Sequence, residues 1–286
     1  MSFITSIAIN GAMISAVYAL IAIGFTLILG IRGVINLTHG ALIMVGAYAF
    51  LVSNYVLPPL GAFVVGITTA SVASFLVYKG VVQYVEGNDL VVSFMTTLVL
   101  ALFLQQIATM LFSSSARSLA PLVPGGVAVG GTRVSYNNLI AFVISIAALT
   151  LVGYFINRTR TGRSILATSM TEKGAVLTGV NIDRVNAVTW LLAGGLAGLA
   201  GVFWGSLQVT SPTMWFDPLN LAFIIVIIGG IARSAGRSSA LVTIGYLQTI
   251  TVTVFNPSYR GLFSLLLLAV VILIRPEGLF GREYVE

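Results

Sequence analysis

The sequence contains no cysteine, a single histidine and very little charge. Without cysteine there is no disulfide, no thiolate nucleophile and no Cys-ligated metal. Charged residues make up 8% of the 286 positions, against roughly 25% in soluble domains. With 58% hydrophobic residues and a mean hydropathy of +1.04, a water-soluble fold is excluded. The eight acids sit mostly in loops, and neither an HExxH motif nor a pair of carboxylates inside an apolar run occurs. The positioned acids, bases and metal ligands that an active site needs are therefore missing, so no catalytic residue and no metal ligand is assigned. A G-x-x-x-x-G-K-[ST] phosphate loop is also absent, so any ATP energy has to come from another polypeptide.

What is present is one apolar run after another. Crossing a hydrocarbon core of about 30 Å takes roughly 20 apolar residues, and candidate spans run over 6–29, 41–57, 60–78, 90–112, 139–156, 185–207, 219–231, 240–255 and 261–274. Alternating ten-residue segments typical of a barrel do not occur. The expectation is an all-α polytopic integral membrane protein forming a single domain over 1–286, with about 8 to 9 transmembrane helices. The first apolar run lacks a basic leader and a small-residue cleavage site, so it reads as a retained span. Two spans, 219–231 and 261–274, are short, and short or glycine-interrupted segments in transporters often line the substrate path.

Lys and Arg near span ends stay on the cytoplasmic side. With nine spans and the C-terminus cytoplasmic, eleven of the fourteen basic residues lie inside, among them Arg32, Lys79, Arg158, Arg160, Arg163, Lys173, Arg184 and Arg282, and only Arg117, Arg133 and Arg260 outside. The net charge of +6 thus reports topology rather than a nucleic-acid partner, for which no basic patch with interleaved aromatics exists. The outer loop of about 113–138, rich in Ser, Gly and Pro, predicts irregular backbone. The inner loop of about 157–184 differs: Leu166, Met170, Gly174 and Leu177 draw an apolar stripe along one helical face, Thr171 is placed to cap a break, and Gly179 to end the helix. A short amphipathic helix along the membrane is the expectation.

Polar residues inside apolar runs are the remaining site candidates. Gly30-Ile31-Arg32-Gly33-Val34-Ile35-Asn36-Leu37-Thr38-His39-Gly40 lies between two apolar runs, where polar side chains and glycines predict a broken helix buried in protein or facing a water-filled path. His39 reads as a structural histidine holding that break, or alternatively as a proton relay. Asp217, before Pro218, is either a partner for a substrate ammonium group or ordinary turn chemistry. Gln105, Gln106 and Thr109 either line a path or join two helices. Gly194, Gly198, Gly201 and Gly205 recur at helical spacing, which lets helix backbones approach closely within the bundle or at a subunit interface.

The run Ala19-Leu20-Ile21-Ala22-Ile23-Gly24-Phe25-Thr26-Leu27-Ile28-Leu29-Gly30, followed by Gly33-Val34-Ile35-Asn36-Leu37-Thr38-His39-Gly40 and Gly46-Ala47-Tyr48, closely resembles the signature of Liv-type permeases, the membrane subunits of branched-chain amino acid ABC importers. The resemblance continues in Arg160-Thr161-Gly162-Arg163, Leu177-Thr178-Gly179-Val180-Asn181, Gly229-Gly230-Ile231 and Arg275-Pro276-Glu277-Gly278. It implies the ABC importer permease fold in the inner membrane of a prokaryote and a second permease subunit, often making a heterodimer. Two cytoplasmic ATPase subunits that hold the ATP and Mg, and a periplasmic or lipid-anchored binding protein, complete the implied assembly, and this chain binds no cofactor. The inner loop falls where the family places its coupling helix, so Arg163, Thr171, Glu172, Lys173, Ala175, Leu177 and Gly179 are the expected ATPase contacts, and Asn36, Thr38, His39, Gln105 and Asp217 the expected substrate path. Two departures stand out. Lys173 and Gly174 precede Ala175 where the family commonly has an acidic residue and two alanines, and Ala232-Arg233-Ser234 replaces a run of glycines. Relatives carry urea, amides or other small organic solutes. A proton- or sodium-coupled carrier and an intramembrane enzyme are the alternatives that the residues alone leave, the first short of ionisable groups inside the spans and the second short of a catalytic constellation.

Overall fold

Helices that are apolar all the way round have only lipid and one another to pack against, and in lipid every backbone polar group must be satisfied within the segment. The computed structural model accordingly consists almost entirely of helices. It describes residues 2–33, 35–85, 90–129, 132–229, 243–247, 249–251, 254 and 261–274. In chain order these are α1 (Ser2–Arg32), α2 (Thr38–Ser53), α3 (Pro59–Val77), α4 (Leu90–Phe112), the strands β1 (Gly126–Val129) and β2 (Thr132–Ser135), α5 (Tyr136–Arg158), α6 (Arg160–Met170), α7 (Glu172–Leu177), α8 (Ile182–Leu207), α9 (Phe216–Gly229) and α10 (Leu262–Ile274). A π-helical turn, Tyr78–Val82, and the turn Gln83–Val85 prolong α3.

Five of these helices are long and apolar enough to cross a membrane: Thr5–Ile31, Pro59–Val85, Val91–Phe112, Tyr136–Arg158 and Ile182–Leu207. Three more, in α2, α9 and α10, are apolar but shorter. The expected span 240–255 is helical at 243–247, 249–251 and 254, its other positions lying outside the described residues, as do Ile231, Arg233, Arg260, Arg282 and the motif from Arg275. The second span ends at Ser53 rather than Leu57, because Pro58 and Pro59 start α3, Pro59 having no N–H to spare at the first helical turn. The outer loop is less irregular than its composition predicts: β1 and β2 pair antiparallel, Gly126 opposite Ser135 and Val129 opposite Thr132.

The chain groups into two compact units that interleave in sequence. The first contains residues 1–22, 123–146 and 220–286. Within it Gly11 leaves room for the ring of Tyr246, and Gly245 for Ser15. The second contains residues 23–122 and 147–219, and its centre is the packing of α2, α3 and α8 on one another. Small residues make that possible. A Cβ on Gly46 would come within 2.6 Å of the Gly198 Cα, one on Gly198 within 2.8 Å of the Ala70 Cβ, and one on Gly201 would run into the Ile43 carbonyl. Where backbones come this close, hydroxyls cross over as well: Ser74 Oγ donates to the Trp190 carbonyl and Ser71 Oγ to that of Leu191, both at 2.7 Å. The glycine stripe on α8 is thus seated inside its own unit, on α2 and α3. Tyr78 stacks on Trp190 at 5.6 Å between ring centroids and, with Ile28, Val82 and Ala193, closes the α1–α3–α8 junction.

Candidate functional site

The glycine-rich island at 30–40 is a true helix break. Gly33 adopts φ +65° and its N–H donates back to the Leu29 carbonyl at 2.8 Å, a left-handed cap that ends α1 and that side chains with a Cβ resist. Residues 35–37 are likewise outside any helix before α2 begins. Asn36 holds the restart: its Oδ1 accepts from the Thr38 N–H at 3.0 Å and its carbonyl from the His39 N–H at 3.3 Å. Its Nδ2 is buried without a hydrogen-bond partner.

The break leans on α4 through Thr97, which the sequence reading passed over. Thr97 Oγ1 donates to the Ile35 carbonyl at 3.3 Å and accepts from the Leu37 N–H at 3.3 Å, while Thr38 Oγ1 donates to the Thr97 carbonyl at 3.0 Å. His39 is fully buried. Its ring meets the edge of Phe25 at 6.0 Å between centroids, and Gly24 provides the space, since a Cβ there would come within 2.8 Å of the imidazole Cε1.

A second discontinuity meets the first. After α8 ends, the connector 208–215 is without helix except for turns, and the Trp215 carbonyl lies directly on Gly40, at the start of α2, where any Cβ would collide with it. Gly40 is thirteen residues from the other end of α2, about 20 Å along the axis. The connector, whose Thr210 sits beyond the end of α4, therefore descends deep into the unit before α9 starts. Trp215 Nε1 donates to Gln105 Oε1 on α4, so Gln105 joins two elements and, being half-buried, keeps one face open.

Two helix starts thus meet at depth, α2 at Thr38-His39-Gly40 and α9 at Trp215-Phe216-Asp217. Non-helical backbone at membrane depth is tolerated only where it is buried in protein or lines a water-filled cavity. The expected path residues do not all converge. Asn36, Thr38 and His39 share one cluster with Thr97, and Gln105 joins through Trp215. Asp217 is in the first turn of α9, where a carboxylate is favoured by the helix dipole, but Trp215 and Leu219 face Gly40, so the exposed Asp217 projects to the other side of the helix. Among the described residues no three of His, Asp and Glu come together as metal ligands.

The inner loop folds as two short helices rather than one. Thr159 Oγ1 accepts from the Gly162 N–H at 2.9 Å to start α6, Thr171 Oγ1 accepts from the Gly174 N–H at 3.3 Å to start α7, and Asn181 Oδ1 accepts from the Arg184 N–H at 2.9 Å to start α8. Gly179 has φ +82°. Ile165 packs inward on Ile31 and Val185, which ties α6 to the last turn of α1, just ahead of the break. Ala175 is buried, whereas Arg163, Thr171, Glu172, Lys173 and Leu177 are exposed. Met170 and Leu177 are 78% and 87% exposed, an apolar stripe that nothing in this chain covers among the described residues.

Five helices long and apolar enough to cross a membrane define a polytopic membrane protein. Residues 7–273 match the family described as branched-chain amino acid transport system, permease component, and the chain belongs to that family. It is 28% identical to the high-affinity branched-chain amino acid transport system permease protein BraD of Pseudomonas aeruginosa, covering 97% of this chain and 96% of the relative. It is also 28% identical to the corresponding permease protein LivH of Escherichia coli, over 97% and 95%. Similarity extends at 25% identity to the ribose import permease protein RbsC of Escherichia coli, over 80% of this chain and 71% of that protein. The fold is shared with a chain of PsaBC from Streptococcus pneumoniae, solved in complex with Fab: TM-score 0.57, 17% identity, 98% of this chain and 97% of the other.

Proposed function

We propose that this chain is the transmembrane permease subunit of an ATP-binding-cassette importer that moves branched-chain, hydrophobic amino acids across the inner membrane of a prokaryote by alternating access. The observation that carries the substrate is the end-to-end match to two permeases named for that transport, BraD and LivH. The match to a ribose permease supports a second reading, the same machine with another small organic solute. The bundle has eight or nine spans with its C-terminus in the cytoplasm. A second permease subunit completes the path, two cytoplasmic ATPase subunits supply ATP hydrolysis with their own Mg, and a periplasmic or lipid-anchored binding protein delivers the solute.

The mechanical route runs through contacts already described. The ATPases hold the exposed stripe of α6 and α7, including Arg163, Thr171, Glu172, Lys173, Leu177 and Gly179, with Ala175 packed behind. Ile165 passes their movement to Ile31, and so to the break at Gly33–Asn36, where Thr97, Thr38 and Asn36 hold α2 on α4. Two packings of such a junction, biased by nucleotide, are what alternating access requires. The solute passes the start of α2, where Asn36 and Thr38 offer hydrogen bonds and Gln105 and His39 shape the wall, while Asp217, on the face of α9 turned away from α2, meets the ammonium group at a separate point of the path. A carboxylate exposed at membrane depth is costly unless it faces water or a cation. Asp217→Asn is expected to lower uptake at least tenfold with normal amounts of protein in the membrane; uptake within twofold of the parent would remove Asp217 from the path. The assembly itself is tested by purifying the tagged chain from its native membrane in mild detergent. Recovery with a second permease and ATPases is expected, and a chain that comes alone and moves solute without ATP would reassign it as a self-contained carrier.

A further inference from the structure

The non-helical stretch that follows α4 is fastened onto the same connector that carries Trp215. Arg117 and Thr210 form an isolated antiparallel bridge, exchanging both backbone hydrogen bonds at 2.8 Å. The Arg117 guanidinium turns back over α4: Nη2 donates to the Phe112 carbonyl at 3.2 Å and the group lies 6.0 Å from the Phe112 ring centroid. Phe112 in turn stacks on Tyr48 of α2, 4.4 Å between centroids and 14° from parallel. Leu119 is buried beneath the stretch, in space that Gly205 at the end of α8 leaves open, since a Cβ there would lie 2.5 Å from Leu119 Cδ1 and 2.7 Å from Thr210 Oγ1.

We propose that residues 113–122 are a strap that latches the outer end of the connector and must release it each time the path opens outward. The proposal rests on the permease reading above, and on the placement of this loop outside. Three features fit a latch rather than a fixed loop. The strap leaves α4 at Ser113, a residue other than glycine at φ +62°, a single left-handed position at which the chain changes direction. Its hold on the connector is one residue pair wide, so it opens without disrupting any helix. Its one cation is held by a carbonyl and a ring face, so no ion pair has to be separated in lipid. The connector below is fixed at Gly40 and Gln105, and it gains freedom to move only when its upper end is let go.

Residues that exchange both hydrogen bonds in an antiparallel pair have Cα atoms about 5.5 Å apart, within reach of a disulfide, and the chain has no cysteine of its own. The test is Arg117→Cys with Thr210→Cys, expressed with the partner subunits in cells, with uptake of labelled leucine measured before oxidation, after it, and after reduction. The strap predicts uptake in the reduced protein, a fall of at least tenfold once cross-linked, and recovery with reductant. A fully cross-linked protein that transports as the reduced one does would overturn it. The parent chain in the same assay reports on leucine transport independently, so a failure of the permease reading shows there and not in the cross-link. Should the double variant be inactive throughout, Thr210→Cys alone decides. Thr210 is fully buried under the strap, so labelling by an impermeant thiol reagent should rise at least fivefold when ATP and binding protein drive turnover, and labelling that stays constant would overturn the latch.

Discussion

Gly201→Val is expected to leave no stable protein in the membrane, whereas Gly153→Ala should be silent or slightly stabilising. Both glycines are inside long helices, five or six residues from the C-terminal end, and local propensity treats them alike: alanine is better than glycine by about 1 kcal/mol in a helix. Their surroundings differ. Any Cβ on Gly201 meets the Ile43 carbonyl and then the Ala47 nitrogen at 3.1 Å, both backbone, while a Cβ on Gly153 meets nothing within 4 Å. A side chain can rotate away, but the α2 backbone cannot move without dragging its contacts with α3 and the break before Thr38. Overpacking of this kind costs about 3 kcal/mol. Without a hydrophobic effect between helices in lipid, close small-residue packing is itself the adhesion that is lost. Fluorescence-detected size exclusion and a thermal midpoint of the detergent-solubilised chain read the difference; a Gly201→Val protein with an unchanged midpoint would show that the α2–α8 crossing is not as tight as described.

Leu177→Glu is expected to separate ATP hydrolysis from transport. Leu177 ends α7 at 87% exposure, two residues before the left-handed Gly179, and with Met170 it presents apolar surface that a partner has to cover. A carboxylate there puts a desolvated charge into that contact, so in reconstituted vesicles the solute moved per ATP should fall at least tenfold while the chain still inserts and still binds its second permease. Gly179→Val should act in the same direction through the backbone, because a β-branched residue does not adopt φ +82° without strain. An unchanged coupling ratio in both variants would move the ATPase contact elsewhere.

The helices at 90–112 and 185–207, the break before α2 and the caps at Thr171 and Gly179 were legible in the sequence because each rests on local chemistry: an apolar run, a glycine with no Cβ, a hydroxyl three residues before an N–H. The stripe Leu166, Met170 and Leu177 followed from helical spacing alone, although the Thr171 cap splits it over two helices. Thr97 and Trp215 were not legible. Thr97 is one of two adjacent threonines in an apolar helix, and only its place opposite Ile35 and Leu37, some sixty positions away in the chain, gives it a role. Trp215 stands two residues before Asp217, itself read as either a substrate partner or ordinary turn chemistry, yet its carbonyl sits on Gly40 and its indole on Gln105. The two-stranded ladder in the outer loop was hidden for the opposite reason, since Gly126, one of the glycines that suggest irregular backbone, opens its first strand. Where Asp217 points was likewise beyond reach, because it depends on the register in which α9 meets α2.

The role proposed for this chain is the path of an ATP-driven importer for branched-chain amino acids. The most direct measurement is uptake of labelled leucine into vesicles containing the purified complex, with binding protein outside and ATP on the side of α6 and α7. The expected result is accumulation that requires ATP and binding protein, with excess unlabelled isoleucine or valine competing and ribose not competing. Leucine uptake that persists without ATP, or an ATP-driven complex that ignores leucine and accumulates a different solute, would contradict it.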